Sequence, residues 1–274
     1  MFNLAHAFAA GLLLLKSPQS LIVKSFERFG IRVQRLRRRP RWPGEDLRID
    51  YQQQYVTFPI APGDRVLDIG SGGYPFGLAT VHLDRYPGTT SNSRREPLAP
   101  VDKPFVQGDV QQLPFRDQSF DFIYASHLLQ SVDDPLVACA EMMRVGKAGY
   151  IEIPTFGKST LFSWAKGLMK WHAVAIDRHL CFFEYSERQL EGVRSSVWHD
   201  LIMSRWYEPI QALFYNNQDV FNVMFCWTGS FSVFVFARDG CVQTLAPQAG
   251  RNQPARCTII SKPFTNTAVR TERS

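Results

Sequence analysis

The stretch Val66–Asp84, VLDIGSGGYPFGLATVHLD, decides the fold. An apolar run carrying Asp68 breaks into Gly70, Ser71, Gly72 and Gly73, and a second apolar run ends at Asp84. Strand, tight glycine turn and second strand is how a nucleotide-binding βα unit begins. The helix that normally joins the strands has almost no room. Only Tyr74 to Ala79 remain for it, about 9 Å at the usual rise, with Pro75 near its start, where proline is tolerated. A phosphate loop depends on a well-aimed helix N-terminus. The shortening therefore argues against a phosphate ligand, and much less against one held by carboxylates and by backbone near the glycines.

Outward from this stretch, short apolar runs alternate with helical ones from Pro62 to Pro154. Arg65–Ile69, Thr80–Leu83, Phe105–Gln107, Phe120–Ala125 and Tyr150–Ile153 read as strands. Asp134–Val145 is the clearest helix, with Leu136, Cys139, Ala140 and Met143 on one face. Such alternation implies a parallel sheet with right-handed crossovers, whose ligands sit at the carboxyl ends of the strands. Those ends carry Asp68, Asp84, Asp109 and the pair Ser126–His127. Asp84 is placed to accept hydrogen bonds from ribose hydroxyls, and Asp109, after Gly108, to meet an adenine amino group. Each has a plainer reading. A strand-end aspartate often caps the next helix, Gly70 and Gly72 shape a turn, and His127 serves equally as a loop histidine.

The run Val66–Pro154 resembles the class I S-adenosylmethionine-dependent methyltransferases of the small-molecule type. The matching pieces are VLDIGSGG and, more specifically, GDVQQLPFRDQSFDFIYASHLLQSVDDPLVACAEMMRVGKAGYIEIP, within a run of about 90 of 274 residues. The resemblance implies an α/β, Rossmann-like fold with a mostly parallel seven-stranded sheet. A C-terminal antiparallel hairpin is expected from Phe221–Trp227 and Phe231–Ala237, along with an N-terminal helical extension. It implies S-adenosyl-L-methionine as cofactor, with Asp68, Gly70, Ser71 and Gly72 lining its methionine part. Asp84 would hold the ribose, and Asp109 with the backbone of Val110 the adenine. Ser126 would lie beside the cofactor, and His127 would face the substrate side. The chain departs from the family where Gln130 and Ser131 replace the usual Glu and His, and where Lys147–Tyr150 stands for a Pro-Gly-Gly turn.

The implied activity is in-line methyl transfer to a small-molecule, lipid-linked or glycan-precursor acceptor. His127 and His179 are the candidate bases. Nucleic acid is disfavoured as acceptor because ASHL stands where an Asn/Asp-Pro-Pro-aromatic motif would be. A non-catalytic scaffold and an RNA methyltransferase are the rival readings. His172, Asp177 and His179 do not make a metal set, lacking a further firm ligand. The aromatic run Trp164, Trp171, Phe182, Phe183 and Tyr185 reads as core or as a cover over the substrate.

The expected organisation is a basic amphipathic helical extension over 1–48, a methyltransferase domain over 49–240 with a substrate-side insert at 156–200, and a polar, disordered tail over 241–274. The net charge of +6 is concentrated in the extension, where nine basic and three acidic residues between Lys24 and Arg48 already sum to +6. A partner chosen by positive charge meets this segment, whether anionic lipid or, less favoured, nucleic acid. The alternative is an apolar stripe packed on the domain with solvated arginines. The apolar start, MFNLAHAFAAGLLLL, has its first charge only at Lys16. It is too short for a spanning helix and reads as an uncleaved helix rather than a signal peptide. Five scattered cysteines read as reduced thiols. The expected location is cytoplasmic, with a peripheral membrane contact.

Overall fold

The computed structural model describes residues 52, 56–87, 102–162, 169–194, 218–247 and 258–259. The chain divides into two units, Met1–Trp42 and Pro43–Ser274, and the described residues all belong to the second. The expected N-terminal helix and Trp164 lie outside the described residues.

Strand β2 (Val66–Ile69) is buried along its whole length, as a central strand covered on both faces must be. Strand β1 (Val56–Thr57) precedes it, and β3 (Val81–Asp84), β4 (Phe105–Gln107) and β5 (Phe120–Ser126) follow. Helix α1 (Pro135–Val145) is entered through Asp134, whose Oδ1 accepts from the N–H groups of Leu136 and Val137, with Pro135 in the first turn. It runs without a loop into β6 (Gly146–Pro154). The residues standing for the Pro-Gly-Gly turn are therefore strand. Gly146 permits the junction: a Cβ there would lie 2.2 Å from Ile123 Cγ1.

Helix α2 (Phe156–Phe162), strands β7 (Trp171–Ile176) and β8 (His179–Glu184), and helices α3 (Glu187–Arg194) and α4 (Gln218–Phe221) come next. Strands β9 (Asn222–Thr228), β10 (Ser232–Phe236), β11 (Val242–Leu245) and β12 (Thr258–Ile259) complete the described elements. The main sheet has the order β4-β3-β2-β5-β6-β9, parallel except for β9. Among the described residues it has six strands, against the seven expected. A second sheet has the order β11-β10-β8-β7.

The expected hairpin is corrected. Phe221–Trp227 and Phe231–Ala237 do not pair with each other. β9 lies antiparallel on β6, while β10 pairs parallel with β8 and forms the C-terminal antiparallel hairpin with β11. Gly229, at φ +73°, donates to Lys147 O and so prolongs the β6 ladder instead of turning back. Phe231 is then buried against Phe225 and Trp227, which draws the chain out of the main sheet. The polar tail is also corrected, since β11 lies within it and β12 pairs with β1. Backbone ladders at sheet edges need no apolar pattern, and β11 is mostly exposed. Nor are all thiols reduced. Cys226 is disulfide-bonded to a partner outside the described residues, while Cys139, Cys181 and Cys241 are free.

The two faces of the main sheet are covered differently. Leu67, Ile69, Ile123 and Ile151 share one core with Ala138, Cys139 and Met142 of α1 and with Leu180, Phe182 and Val233 of the second sheet. On the opposite face Val66, Phe122, Tyr124 and Tyr150 meet Phe76 and Ala79, from the segment where a helix is missing. Phe76 stacks flat on Tyr124 at 4.0 Å, with Phe58 edge-on to both. Two tight turns, Tyr74 N–H to Ser71 O and Ala79 N–H to Phe76 O, deliver that ring. One aromatic side chain thus covers the sheet where a helix face would.

Candidate functional site

The glycine loop folds over the end of β3. Gly70 and Gly72 sit at φ +75° and +52°, a region where a Cβ is strained. A Cβ on Gly70 would also lie 3.1 Å from Leu128 Cδ1. The N–H groups of Gly70 and Ser71 both donate to Leu83 O (2.7 and 3.3 Å), and that of Gly72 donates to Asp84 Oδ2 (3.1 Å). Asp84 Oδ1 accepts from Tyr86 N–H, so this 8% exposed carboxylate is held at both oxygens. Ser71 Oγ is buried without a hydrogen-bond partner among the described residues. Such a group ordinarily finds a partner.

Asp68 lies beneath this loop. Its Oδ2 accepts from Phe76 N–H (2.8 Å) and meets His82 Nδ1 (3.1 Å), its cross-strand neighbour. Burial pushes its carboxyl above the ordinary value, against the His82 and Phe76 hydrogen bonds that lower it. Its observed contacts brace the Tyr74–Ala79 turn from below. His82 was not anticipated from sequence, although a polar residue inside an apolar strand was a signal.

At the next strand end, Asp109 Oδ1 accepts from Gln111 N–H (2.9 Å), and Arg85 Nη1 lies 3.2 Å from its Oδ2. Arg85 also approaches Asp133 at 3.9 Å, and Asp133 pairs with Lys170, which holds its carboxyl below the usual range. Val110 is buried beside Asp109. Ser126, half-buried, stands in register with Glu152 at the ends of β5 and β6.

His127 follows, at φ +55°, an uncommon backbone for a residue other than glycine. It is clamped twice to Glu152: its N–H donates to Glu152 O (2.8 Å), and its Nε2 lies 3.1 Å from Glu152 Oε1. Glu152, only 2% exposed, also accepts from Tyr150 Oη (2.6 Å), Gln52 Nε2 (2.9 Å) and Asn222 Nδ2 (3.2 Å). Lys158 Nζ donates to Asn222 Oδ1 (2.6 Å) and stands 3.4 Å from His127 Nε2. Burial alone would raise the Glu152 carboxyl, but His127, Lys158 and Tyr150 together bring it down to about 2. Of this cluster the sequence pointed only to His127. An acid inside the otherwise apolar Tyr150–Ile153 was a signal for Glu152.

Beside the cluster opens a cleft of about 600 Å³, lined by Thr155, Phe156, Gly157, His172 to Ala175, Gln189, Val223 and Met224. His172 stacks on Phe183 and meets Phe156 and Tyr185, and burial lowers its imidazole's affinity for a proton. Trp171, Phe182 and Tyr185 are core. His179 is elsewhere. It is exposed at the start of β8 in the second sheet, with its ring against Phe234, and is not gathered with His127 at the ends of the main sheet's strands. Among the described residues no group of metal-ligating side chains occurs.

A parallel sheet with a glycine loop at its central strand and acids at the next two strand ends defines a Rossmann-like methyltransferase fold. Residues 67–151 match the family described as Methyltransferase domain, and over this segment the chain is similar to methyltransferases. The chain is 40% identical over 110 residues to a demethylmenaquinone methyltransferase of Renibacterium salmoninarum, covering 35% of this chain and 45% of the relative. It is 24% identical over 180 residues to a malonyl-[acyl-carrier protein] O-methyltransferase of a Marinomonas species, covering 60% and 66%. The chain thus spans less than half the length of the demethylmenaquinone relative. A putative methyltransferase solved with the Haloferax volcanii Trm112 activator aligns with a TM-score of 0.33 at 19% identity, over 46% of this chain and 68% of that one.

Proposed function

We propose that this chain methylates a small-molecule acceptor, using S-adenosyl-L-methionine bound across the ends of β2, β3 and β4. The observation that carries the reading is the pairing of Asp84 with the glycine loop around the orphaned Ser71 hydroxyl. When bound, the cofactor supplies a methyl carbon made electrophilic by the sulfonium. The chain's own task is then to bind, align and exclude water, which is worth about 7–11 kcal/mol in ideal intramolecular cases. Asp84 takes the ribose hydroxyls and Asp109 with Val110 the adenine, for which Arg85 gives up its hold on Asp109. Gly70, Ser71 and Gly72 line the methionine part, with Asp68 and His82 supporting the turn beneath and Ser126 alongside. The acceptor enters through the cleft at Phe156 and Val223.

Calorimetry with S-adenosyl-L-methionine tests this reading. The native chain binds it, and Asp84→Ala weakens binding by about 1–3 kcal/mol, the value of buried hydrogen bonds to a charged group. Absence of binding by a folded native chain, or equal binding by the variant, overturns the assignment. Binding with no transfer to any acceptor would favour the scaffold reading.

A further inference from the structure

The adenine end of the cofactor site carries a cation that competes with the ligand. Resting on the methyl-transfer reading above, we infer that Arg85 gates this subsite: its guanidinium is shared between Asp109 and Asp133, and adenine binds as it passes from the first carboxylate to the second.

Asp109 has no idle oxygen. Its Oδ1 accepts from Gln111 N–H (2.9 Å) and Gln111 Nε2 (3.3 Å), while its Oδ2 meets Arg85 Nη1 (3.2 Å) and, more distantly, Gln111 Nε2 (3.4 Å). An adenine amino group can donate to this carboxylate only where one of these partners yields. Gln111 is the fixed one. Its Oε1 accepts from the N–H of Asp134 (2.7 Å), the residue that caps α1, so its side chain is tied at both ends. Arg85 is the movable one, with a side chain 52% exposed.

A second carboxylate is in place to receive it. The same Nη1 lies 3.9 Å from Asp133 Oδ2, so a side-chain rotation completes the exchange. Asp133 is held by Lys170, whose own backbone N–H is fixed to Gln130 O (2.8 Å). Lys170 keeps that carboxyl below the usual range, so it is charged at neutral pH. The backbone need not follow the rotation. Arg85 O accepts from Gln107 Nε2 (3.3 Å), and the flanking residues are joined by the Tyr86 N–H bond to Asp84 Oδ1 (2.8 Å). The Arg85 side chain therefore moves alone, while Asp84 beside it keeps its place for the ribose. Passing between two carboxylates, the guanidinium always has a counter-charge, and the exchange costs only the difference between two half-exposed pairs.

The test is calorimetry on the full chain with 5′-methylthioadenosine. This probe carries adenine and ribose and has no charge, so a changed charge in the protein reaches it through Arg85. Arg85→Met should bind it about 2- to 5-fold more tightly than native, the worth of a half-exposed ion pair. Asp133→Asn leaves Arg85 with Asp109 alone and should bind the probe about 2- to 5-fold more weakly. The double variant should match Arg85→Met, because the second carboxylate acts only through the guanidinium. Raising salt from about 0.05 to about 0.5 M should tighten binding to the native chain by screening the pair, and leave Arg85→Met at its low-salt value. Binding by Arg85→Met no tighter than native, a loss in Asp133→Asn that survives in the double variant, or a native affinity that does not rise with salt would each overturn the gate. So would a native chain that binds S-adenosyl-L-methionine but not the probe, since adenine would then not be held at Asp109. A native chain that binds neither strikes the methyl-transfer reading itself, and the gate falls with it. Should Asp133→Asn not fold, Arg85→Met and the salt series decide.

Discussion

Glu152 is a full charge held almost out of water, and its cost is offset by five neighbours that donate to it or oppose its charge, Tyr150, Gln52, Asn222, His127 and Lys158. Its carboxyl falls from 4.5 to about 2 on folding. A depressed acid adds stability that is fully present above its unfolded value and is lost as pH drops through its folded one. The window here is pH 4.5 to about 2, and the contribution is on the order of 3 kcal/mol. Asp68 acts in the opposite sense, because burial raises it and stability falls as pH climbs past its unfolded value of 3.8. Glu152→Gln leaves Lys158 and His127 without their counter-charge and should cost about 3–5 kcal/mol at pH 7. Urea unfolding at pH 7, 4.5 and 3 should show the gap from the native chain narrowing towards acid. A gap that stays constant would mean Glu152 is not ionised in the folded chain.

The shortened βα connection shows how an element can be replaced by a side chain. Phe76 covers Tyr124, Val66 and Phe122 where a helix would pack, so Phe76→Ala should cost about 3–5 kcal/mol, as for buried aromatic truncations. Loss of the ring unpins the Tyr74–Ala79 turn whose Phe76 N–H meets Asp68, so the variant should also loosen the glycine loop and weaken S-adenosyl-L-methionine binding. A urea midpoint within error of native would remove the ring from the core. The sequence made the strands legible: the five apolar runs fall on β2 to β6, and Asp134 with Pro135 marks the start of α1. Partners were less legible. The alternation in β9 and β10 suits a hairpin as well as two separate sheets, and only the burial of Phe231 decides between them. Asp84 and Asp109 were readable because position on a parallel sheet dictates their place. The Glu152 cluster was not, since Gln52, Glu152, Lys158 and Asn222 come from distant segments that only the tertiary fold joins.

Charge is segregated over the molecule as a whole. The segment Lys24–Arg48 carries the entire excess of +6, and the remainder balances. Among the described residues no helix is long and apolar enough to cross a membrane. We propose that the basic segment brings the chain to an anionic lipid surface, where a Lys or Arg is worth about 1 kcal/mol and the attraction is screened beyond about 10 Å at 0.1 M salt. The full chain should sediment with phosphatidylserine vesicles at low salt, progressively less as salt rises, and not with uncharged vesicles. Reversing Arg37, Arg38 and Arg39 to glutamate removes three favourable charges and adds three unfavourable ones, so vesicle affinity should fall at least about 100-fold. The methyltransferase domain is untouched, so S-adenosyl-L-methionine affinity should stay at the native value. Unchanged sedimentation of the triple variant would return these arginines to a solvated helix face. Salt-sensitive RNA binding without vesicle binding would instead favour a nucleic acid partner.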